Sequence, residues 1–312
     1  MKQSPILLIP FFIFLLNCTN KHAYLNPKAS IEERVESVLS QMTLDEKLAI
    51  LQHADDTGQM KGMSYGKFGF MDIGADPKPA AERYNEIQKY CKTHTRFGIP
   101  GMKSGEGIFA YMAYKTTSFP QPIGQAASWD PDVVAKVADV VSEEMKSRGV
   151  RNILSPVLNM GRDPRWGRTG ETYGEDPYLV SRMGVAYCKT LSDKGLVACV
   201  KHFAGNTGHN GMFGAPVFYS ERYYREYEFP PYEAAIREGE AKSVMMAYNT
   251  ADAIPCPQHE WMMKKIIKGE WGFDGFIMSD GGGLTLVKNN FGIDTSDVVI
   301  VAKAINSGCD MA

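Results

Sequence analysis

From Thr43 to the last residue the chain alternates between two apolar patterns. One recurs every three to four positions, as a helix face does. The other is short and nearly continuous, as a strand covered on both sides is. "TLDE", Thr43 to Glu46, is a capping box that opens a helix. "IPGMKSGE", from Ile99, is strand-like and ends in a carboxylate. "WDPDVVAKVADVVSEEMKSRG" has Asp130 as N-cap, Pro131 at the first helical position and Gly149 as the stop. Val133, Val137, Val140, Val141 and Met145 form its apolar stripe. "VRNILSPVLN" and "LVACVKHF" (Leu196 to Phe203) then read as strands. After them "PPYEAAIREG" predicts a helix, "AKSVMMAY" a strand, "EWMMKKIIKGEWG" a helix and "FIMSD" a strand. "SDVVIVAKAINSG" predicts a further helix, and "CDMA" opens another strand.

Repeated strand–helix units imply parallel strands joined by right-handed crossovers. An open doubly wound sheet and a closed (β/α)8 TIM-type barrel both fit that pattern. The polar residues favour the barrel. Glu106, Lys201 with His202, Tyr248 and Asp280 follow or end several different strands. Barrels draw their chemistry from many strand ends, whereas an open sheet concentrates it at one switch point.

The first twenty residues are set apart from this fold. "MKQSPILLIPFFIFLLNCTN" has a lysine, an apolar run from Ile6 to Leu16, then small and polar residues. That is the layout of an export signal, too short to span a bilayer comfortably. Cys18 closes "LLNC", which resembles a lipoprotein cleavage box with Asn17 in place of the usual small residue. Lipid attachment at Cys18, simple cleavage and an uncleaved anchor all remain open. The expected destination is periplasmic, outer-membrane-associated or extracellular.

The net charge of −2 among 312 residues gives no footprint for nucleic acid, so a neutral small molecule suits the surface better. Beyond Cys18 there are five cysteines, Cys91, Cys188, Cys199, Cys256 and Cys309, widely spaced and odd in number. They suggest neither a disulfide framework nor a zinc site. Cys188, Cys199 and Cys309 lie among apolar residues and read as packing.

Four stretches carry candidate chemistry. "GFDGFIMSDGGG" brings Asp280 to the end of a buried strand and follows it with three glycines. That arrangement suits a nucleophile facing a ligand, or simply a flexible turn. "GRDPRWGRTGETYGEDPYL", Gly161 to Leu179, combines arginines, acids and aromatics after a strand. It fits recognition of a hydroxylated ligand as well as it fits a salt-bridged scaffold loop. In "KHFAGN", Lys201 and His202 reach one ligand only where the strand ends or is bulged, and taken alone a buried lysine paired to an acid is the simpler account. "SGEGIFA" is a weak dinucleotide fingerprint, but Glu106 stands where a pyrophosphate would approach. A carboxylate that accepts hydrogen bonds from hydroxyl groups is the better reading. His209, seven residues after His202, is not at a metal-ligand spacing, and no metal or other cofactor is expected.

Five motifs in order, "SFPQPIGQAASWDPDVV", "DPRWGRTGETYGEDPYLVSRMG", "VKHFAGN", "SVMMAYN" and "EWGFDGFIMSD", give the chain its resemblance to glycoside hydrolase family 3, the β-glucosidases and β-xylosidases. The resemblance runs from about Thr43 to the end. It implies a barrel domain over 21–312 behind a signal at 1–20. "NSGCDMA" resembles a family strand cut partway, so the barrel is expected to be incomplete at its C-terminus, with a second domain missing. Such a chain, alone, should be poorly soluble and nearly inactive toward a nitrophenyl β-glycoside.

What the resemblance implies for the site follows position by position. Asp280 matches the catalytic nucleophile, and Lys201 and His202 the pair that bonds sugar hydroxyls. Arg168 matches the sugar-binding arginine, while Arg165 braces the loop. Tyr248 matches the tyrosine near the nucleophile. Glu106 falls where the family holds hydroxyls on the far side of the ring. The expected substrate is a β-linked oligosaccharide or glycoside, a terminal β-glucoside first and a β-xyloside second. Glutamate at 106 reaches further than aspartate and would crowd an exocyclic CH₂OH. Hydrolysis with retention needs two carboxyl groups about 5–5.5 Å apart. Lys201 or Arg168 is expected to keep the pKa of Asp280 low.

The sequence departs from the family pattern at two positions. Phe109 stands where a histidine is frequent, and Gly281 where a tryptophan commonly packs on the sugar. An aromatic wall lost at Gly281 would weaken binding next to the cleaved bond. The acid/base lies on a second domain in most of the family. His209 is a poor substitute because its motif differs, and Glu171 and Glu175 read as scaffold. A sugar-binding barrel without catalysis, and more remotely a nucleotide-dependent oxidoreductase, are the alternatives.

Overall fold

The structure is a computed structural model describing residues 21–54, 56–68 and 76–311, which form two compact units, one up to Lys47 and one from Leu48. The segment 1–20, with Cys18, lies outside the described residues. Among the described residues no helix is long and apolar enough to cross a membrane.

In the first unit, helix Ile31–Leu39 opens on a capping box of Ser30 and Glu33. The box predicted at "TLDE" is also present. Thr43 N–H donates to Glu46 Oε2 at 2.9 Å, and Glu46 N–H donates to Thr43 Oγ1 at 3.2 Å.

The second unit is built on one parallel sheet. Its strands are β1 (His53–Ala54), β2 (Lys67–Phe68), β3 (Met102–Gly105), β4 (Asn152–Ile153), β5 (Val197–Phe203) and β6 (Ser243–Met246). A separate antiparallel hairpin, β7 (Thr250–Ala251) with β8 (Ile254–Pro255), precedes the last sheet strand, β9 (Phe276–Ser279). The sheet order is β1-β2-β3-β4-β5-β6-β9, which is chain order without reversal. A doubly wound sheet reverses at its switch point, so the order is that of a barrel. Met311 then bridges Met278 in the parallel sense, as "CDMA" predicts. Its Cε lies 3.1 Å from where a Cβ on Gly66 would stand. Residues beyond β9 therefore come round to the entry of β2, and the sheet curls.

Period-two alternation sorts the strands into an inner and an outer face. Leu154, Cys199, Met245, Met278 and Met311 cluster inside with Phe276. Val200, Phe203, Val244, Met246 and Ile277 belong to the large outer core that the helices cover. Helix Pro131–Ser147 begins as its sequence predicts, with Asp130 accepting from Asp132 N–H at 3.0 Å. Its buried face is Val134, Val137, Ala138, Val141 and Met145, while Val140 is 36% exposed. At 100° per residue, Val140 falls on the edge of a stripe centred on Ala138 and Val141. Two elements differ from expectation. "VRNILSPVLN" yields only a two-residue strand, because Pro156 offers no N–H to a ladder. "EWMMKKIIKGE" is helical but wound as a π-helix, Trp261–Glu270.

One buried acid stands apart. Glu228, 1% exposed, ends the π-turn Tyr224–Glu228 and leads into helix Pro230–Arg237. Its Oε1 accepts no hydrogen bond, and Arg162 Nη2 is 3.7 Å away. Burial pushes its carboxyl up to about 7, against the pull of Arg162 and the Gly205 N–H. A raised folded pKa means that the native state holds the proton longer than the unfolded chain does. The stability this contributes is complete below the ordinary glutamate pKa and is lost as pH rises through about 7. Glu228→Gln should therefore raise the melting temperature at pH 8 and leave it nearly unchanged at pH 5, with a gain of about 3 kcal/mol at the higher pH. Equal shifts at both pH values would contradict the burial argument.

Candidate active site

All the candidate residues meet at the C-terminal ends of the strands. Glu106 directly follows β3, Lys201 and His202 lie near the end of β5, Tyr248 is two residues past β6, and Asp280 directly follows β9. Arg168 comes from the long loop after β4, at the start of the 3-10 turn Thr169–Glu171.

Lys201 continues the inward alternation set by Cys199. Its Nζ donates to Glu106 Oε2 at 2.7 Å, with the lysine side chain 3% exposed. Simple alternation would send His202 outward. The register of β5 against β6 shifts between Val200 and Phe203. Lys201 and His202, neighbours in the chain, thus both serve the mouth.

His202 is held by Asn159. Asn159 Oδ1 accepts from His202 N–H at 2.9 Å and lies 3.0 Å from His202 Nδ1. Asn159 Nδ2 donates to the His202 carbonyl at 2.8 Å and to Tyr232 OH at 3.0 Å. The proton is therefore on Nδ1, and Nε2 is an acceptor, 3.3 Å from Arg168 Nη2. Burial, with Arg168 and Lys201 adding, holds the imidazole well below its ordinary pKa. The ring is neutral, so its 3.6 Å approach to Asp280 Oδ2 is not an ion pair.

Asp280 Oδ1 accepts from Gly281 N–H at 2.7 Å, while Oδ2 is buried and accepts no hydrogen bond. Burial raises the carboxyl above its ordinary pKa. Lys201, the Gly281 N–H, Tyr248 and Arg168 pull it back without cancelling the effect. The expectation of a low pKa is thereby corrected: the cations are present, but desolvation outweighs them. Tyr248 OH donates to the Gly281 carbonyl at 2.9 Å, which ties β6 to the turn after β9. Arg168 grips Glu171 through two bonds of 2.9 and 2.7 Å. Burial works against its charge, but the Glu171 pair prevails and its pKa is raised.

The loop after β4 thus brings a guanidinium to the mouth and braces itself with ion pairs. Arg165 pairs with Asp163, whose carboxyl is drawn down to about 2 by the Arg165 side chain. Trp166 and Tyr173 are buried, and Tyr178 is exposed. His209 is exposed on the next loop. Of the three glycines after Asp280, a Cβ on Gly281 or Gly282 would meet nothing within 4 Å, whereas one on Gly283 would stand 2.8 Å from Ser279 Oγ.

Two contributors escape motif reading. Asn159 looks like a strand's last polar residue, and only its pairing to His202 reveals its part. Lys67, on β2, is buried in the barrel, where burial lowers its pKa and the negative charges of Asp280 and Glu106 oppose the shift. A lysine in the otherwise uncharged "YGKFGF" was the available signal.

Residues 43–312 match the family model for the glycosyl hydrolase family 3 N terminal domain. A β-xylosidase of Formosa agariphila is 32% identical, over 98% of this chain and 39% of its own length. A β-glucosidase B of Emericella nidulans is 29% identical, over 84% of this chain and 28% of its own. Among solved structures, a β-glucosidase from Erythrobacter marinus superposes with TM-score 0.87 at 27% identity, covering 92% of this chain and 41% of that one. A β-glucosidase from Listeria innocua in complex with glucose gives TM-score 0.78 at 31% identity, covering 90% and 42%. The chain spans less than half the length of each of these proteins.

The hydrogen-bond pattern predicts that the ring nitrogens of His202 show one neutral, Nδ1-protonated state by ¹⁵N NMR from pH 5 to 8. A titration centred near the ordinary histidine pKa would contradict it. Asn159→Ala, which strips partners from buried His202, should cost about 1–3 kcal/mol in urea unfolding.

Proposed function

The chain belongs to glycosyl hydrolase family 3, and from that premise we propose that it carries the sugar-binding and nucleophilic half of a retaining exo-β-glycosidase. The observation that carries the reading is Asp280 Oδ2, a buried carboxylate oxygen without a hydrogen bond, in a ring of polar groups supplied by four strand ends and a loop. An unsatisfied buried acceptor is costly, and this one, unlike Glu228 Oε1, stands among the other candidate groups at the strand ends.

In the proposed mechanism a terminal sugar lies in the mouth. Glu106 and the His202 Nε2 lone pair accept from its hydroxyls, and Lys201 and Arg168 donate to them. Asp280 Oδ2 attacks C1, forming a C1–O ester as the bond to the aglycone oxygen breaks. That oxygen leaves with the bonding pair and takes a proton from a general acid. Water then attacks C1, its proton passes to the conjugate base, and Asp280 is restored. Glu106 and Glu171 are each bound to a cation, and we assign the acid's role to neither. Tyr248 steadies the turn that aims Asp280.

A terminal β-glucoside is the first substrate. A β-xyloside is the second, favoured by the length of Glu106 and by the resemblance to the Formosa enzyme. We further propose that residues 1–20 direct export, with Cys18 as the point of any lipid attachment.

The test uses 2,4-dinitrophenyl 2-deoxy-2-fluoro-β-D-glucoside and the matching xyloside, whose leaving group departs without a general acid. Mass spectrometry should find one sugar on the peptide containing Asp280, faster with the glucoside, and none in Asp280→Asn. The trapping rate should rise with pH through an apparent pKa above the ordinary aspartate value of about 3.9, since the raised carboxyl must lose its proton before it attacks. Labelling elsewhere would overturn the assignment, and sugar binding without labelling would make the chain a binding module.

A further inference from the structure

An exposed aromatic ring stands beside the candidate site on the loop after β5. Phe213 lies in the segment after β5 and is 52% exposed, and its neighbour Met212 is 65% exposed. Its ring stands 5.2 Å from that of Tyr248, edge to face at 64°. The Arg168 guanidinium lies 5.8 Å from its centre. Phe213 is thus not part of the hydrophobic core. Two residues of the candidate site stand against its ring, and about half its surface is left open.

The loop holds that position through tight backbone packing. Gly211, with φ +71°, comes so close to the preceding loop that a Cβ there would stand 2.9 Å from Trp166 N and 3.0 Å from Asp163 Cγ. Gly208, with φ +68°, passes so near the Met212 carbonyl that a Cβ would stand 2.1 Å from its oxygen. Thr207 Oγ1 donates to the Met160 carbonyl at 2.8 Å. On the β9 side of the mouth, the space beside Gly281 and Gly282 is empty of neighbours. One side of the entrance is therefore open, and an aromatic ring stands on the loop beside Tyr248 and Arg168.

We propose that Phe213 is the platform of the leaving-group subsite and selects glycosides with an aryl or other apolar aglycone. The inference rests on the sugar-binding reading above and adds the chemistry of the group beyond the cleaved bond. A ring contacted by Arg168 and Tyr248 leaves about half its surface open beside the position proposed for the sugar. An aromatic or flat apolar aglycone gains stacking there that a methyl group does not.

The experiment is calorimetric binding of phenyl and methyl 1-thio-β-D-xylosides, which are not hydrolysed. Because xylose lacks the exocyclic CH₂OH, these ligands fit whichever of the two sugars the site takes. Wild type should bind the phenyl compound more tightly. Phe213→Ala should weaken it about tenfold and change the methyl compound less than twofold, while Phe213→Trp restores the preference. Phe213 is half exposed, and unchanged melting temperatures would verify that both variants fold. Equal losses on both ligands, or no loss on either, would overturn the proposal. If wild type bound neither ligand, the sugar site itself would be wrong and the inference would fall with it; a selective result cannot be confused with that outcome.

Discussion

Lys201 and Glu106 form the ion pair on which the mouth of the barrel depends. The lysine is almost wholly buried, and its partner lies 95 positions away at the end of β3. Either charge left there without its partner would be costly to bury. Removing one partner of such a pair costs about 3–5 kcal/mol. The pair also sets the charge of its surroundings. Glu106, Asp280 and Glu171 are matched by Lys67, Lys201 and Arg168, which leaves His202 neutral between two cations. In a poorly screened space that balance permits Asp280 to ionise at all, although burial still raises its pKa.

The barrel makes this balance possible because it brings separate strand ends to one place. Several of these groups are held in place by a neighbouring side chain. Asn159 fixes His202, Glu171 forks Arg168, and Tyr248 fastens the turn behind Asp280. The exception is Asp280 Oδ2, which nothing satisfies. A neutral imidazole 3.6 Å away offers it no proton, because the Nδ1–H points to Asn159. A cationic centre that arrives with a ligand would be the first strong partner this oxygen meets.

Much of this was legible in the chain. Strand–helix alternation and polar residues at successive strand ends indicate the barrel, and the sheet order bears that out. The caps at Thr43 and Asp130 are local chemistry, so they survive unchanged. The short β4 was harder to foresee, because an apolar run does not reveal how many ladder bonds Pro156 forfeits. Lys201 and His202 posed a question of parity that only the register shift in β5 resolves. Asn159 and Lys67 matter through contacts across the barrel, which neither spacing nor period encodes. The pKa of Asp280 could not be judged from its charged neighbours, since desolvation depends on how deeply the strand end is set.

The central claim is that Asp280 Oδ2, buried without a hydrogen bond, is the oxygen that would meet positive charge developing on a bound sugar. Calorimetric binding of a protonated, hydroxylated piperidine tests this most directly, since its ammonium mimics positive charge developing at the ring. The account predicts binding that strengthens as pH rises through the Asp280 pKa, and a loss of about a hundredfold in Asp280→Asn. Equal affinity in wild type and variant, or no dependence on pH, would contradict it.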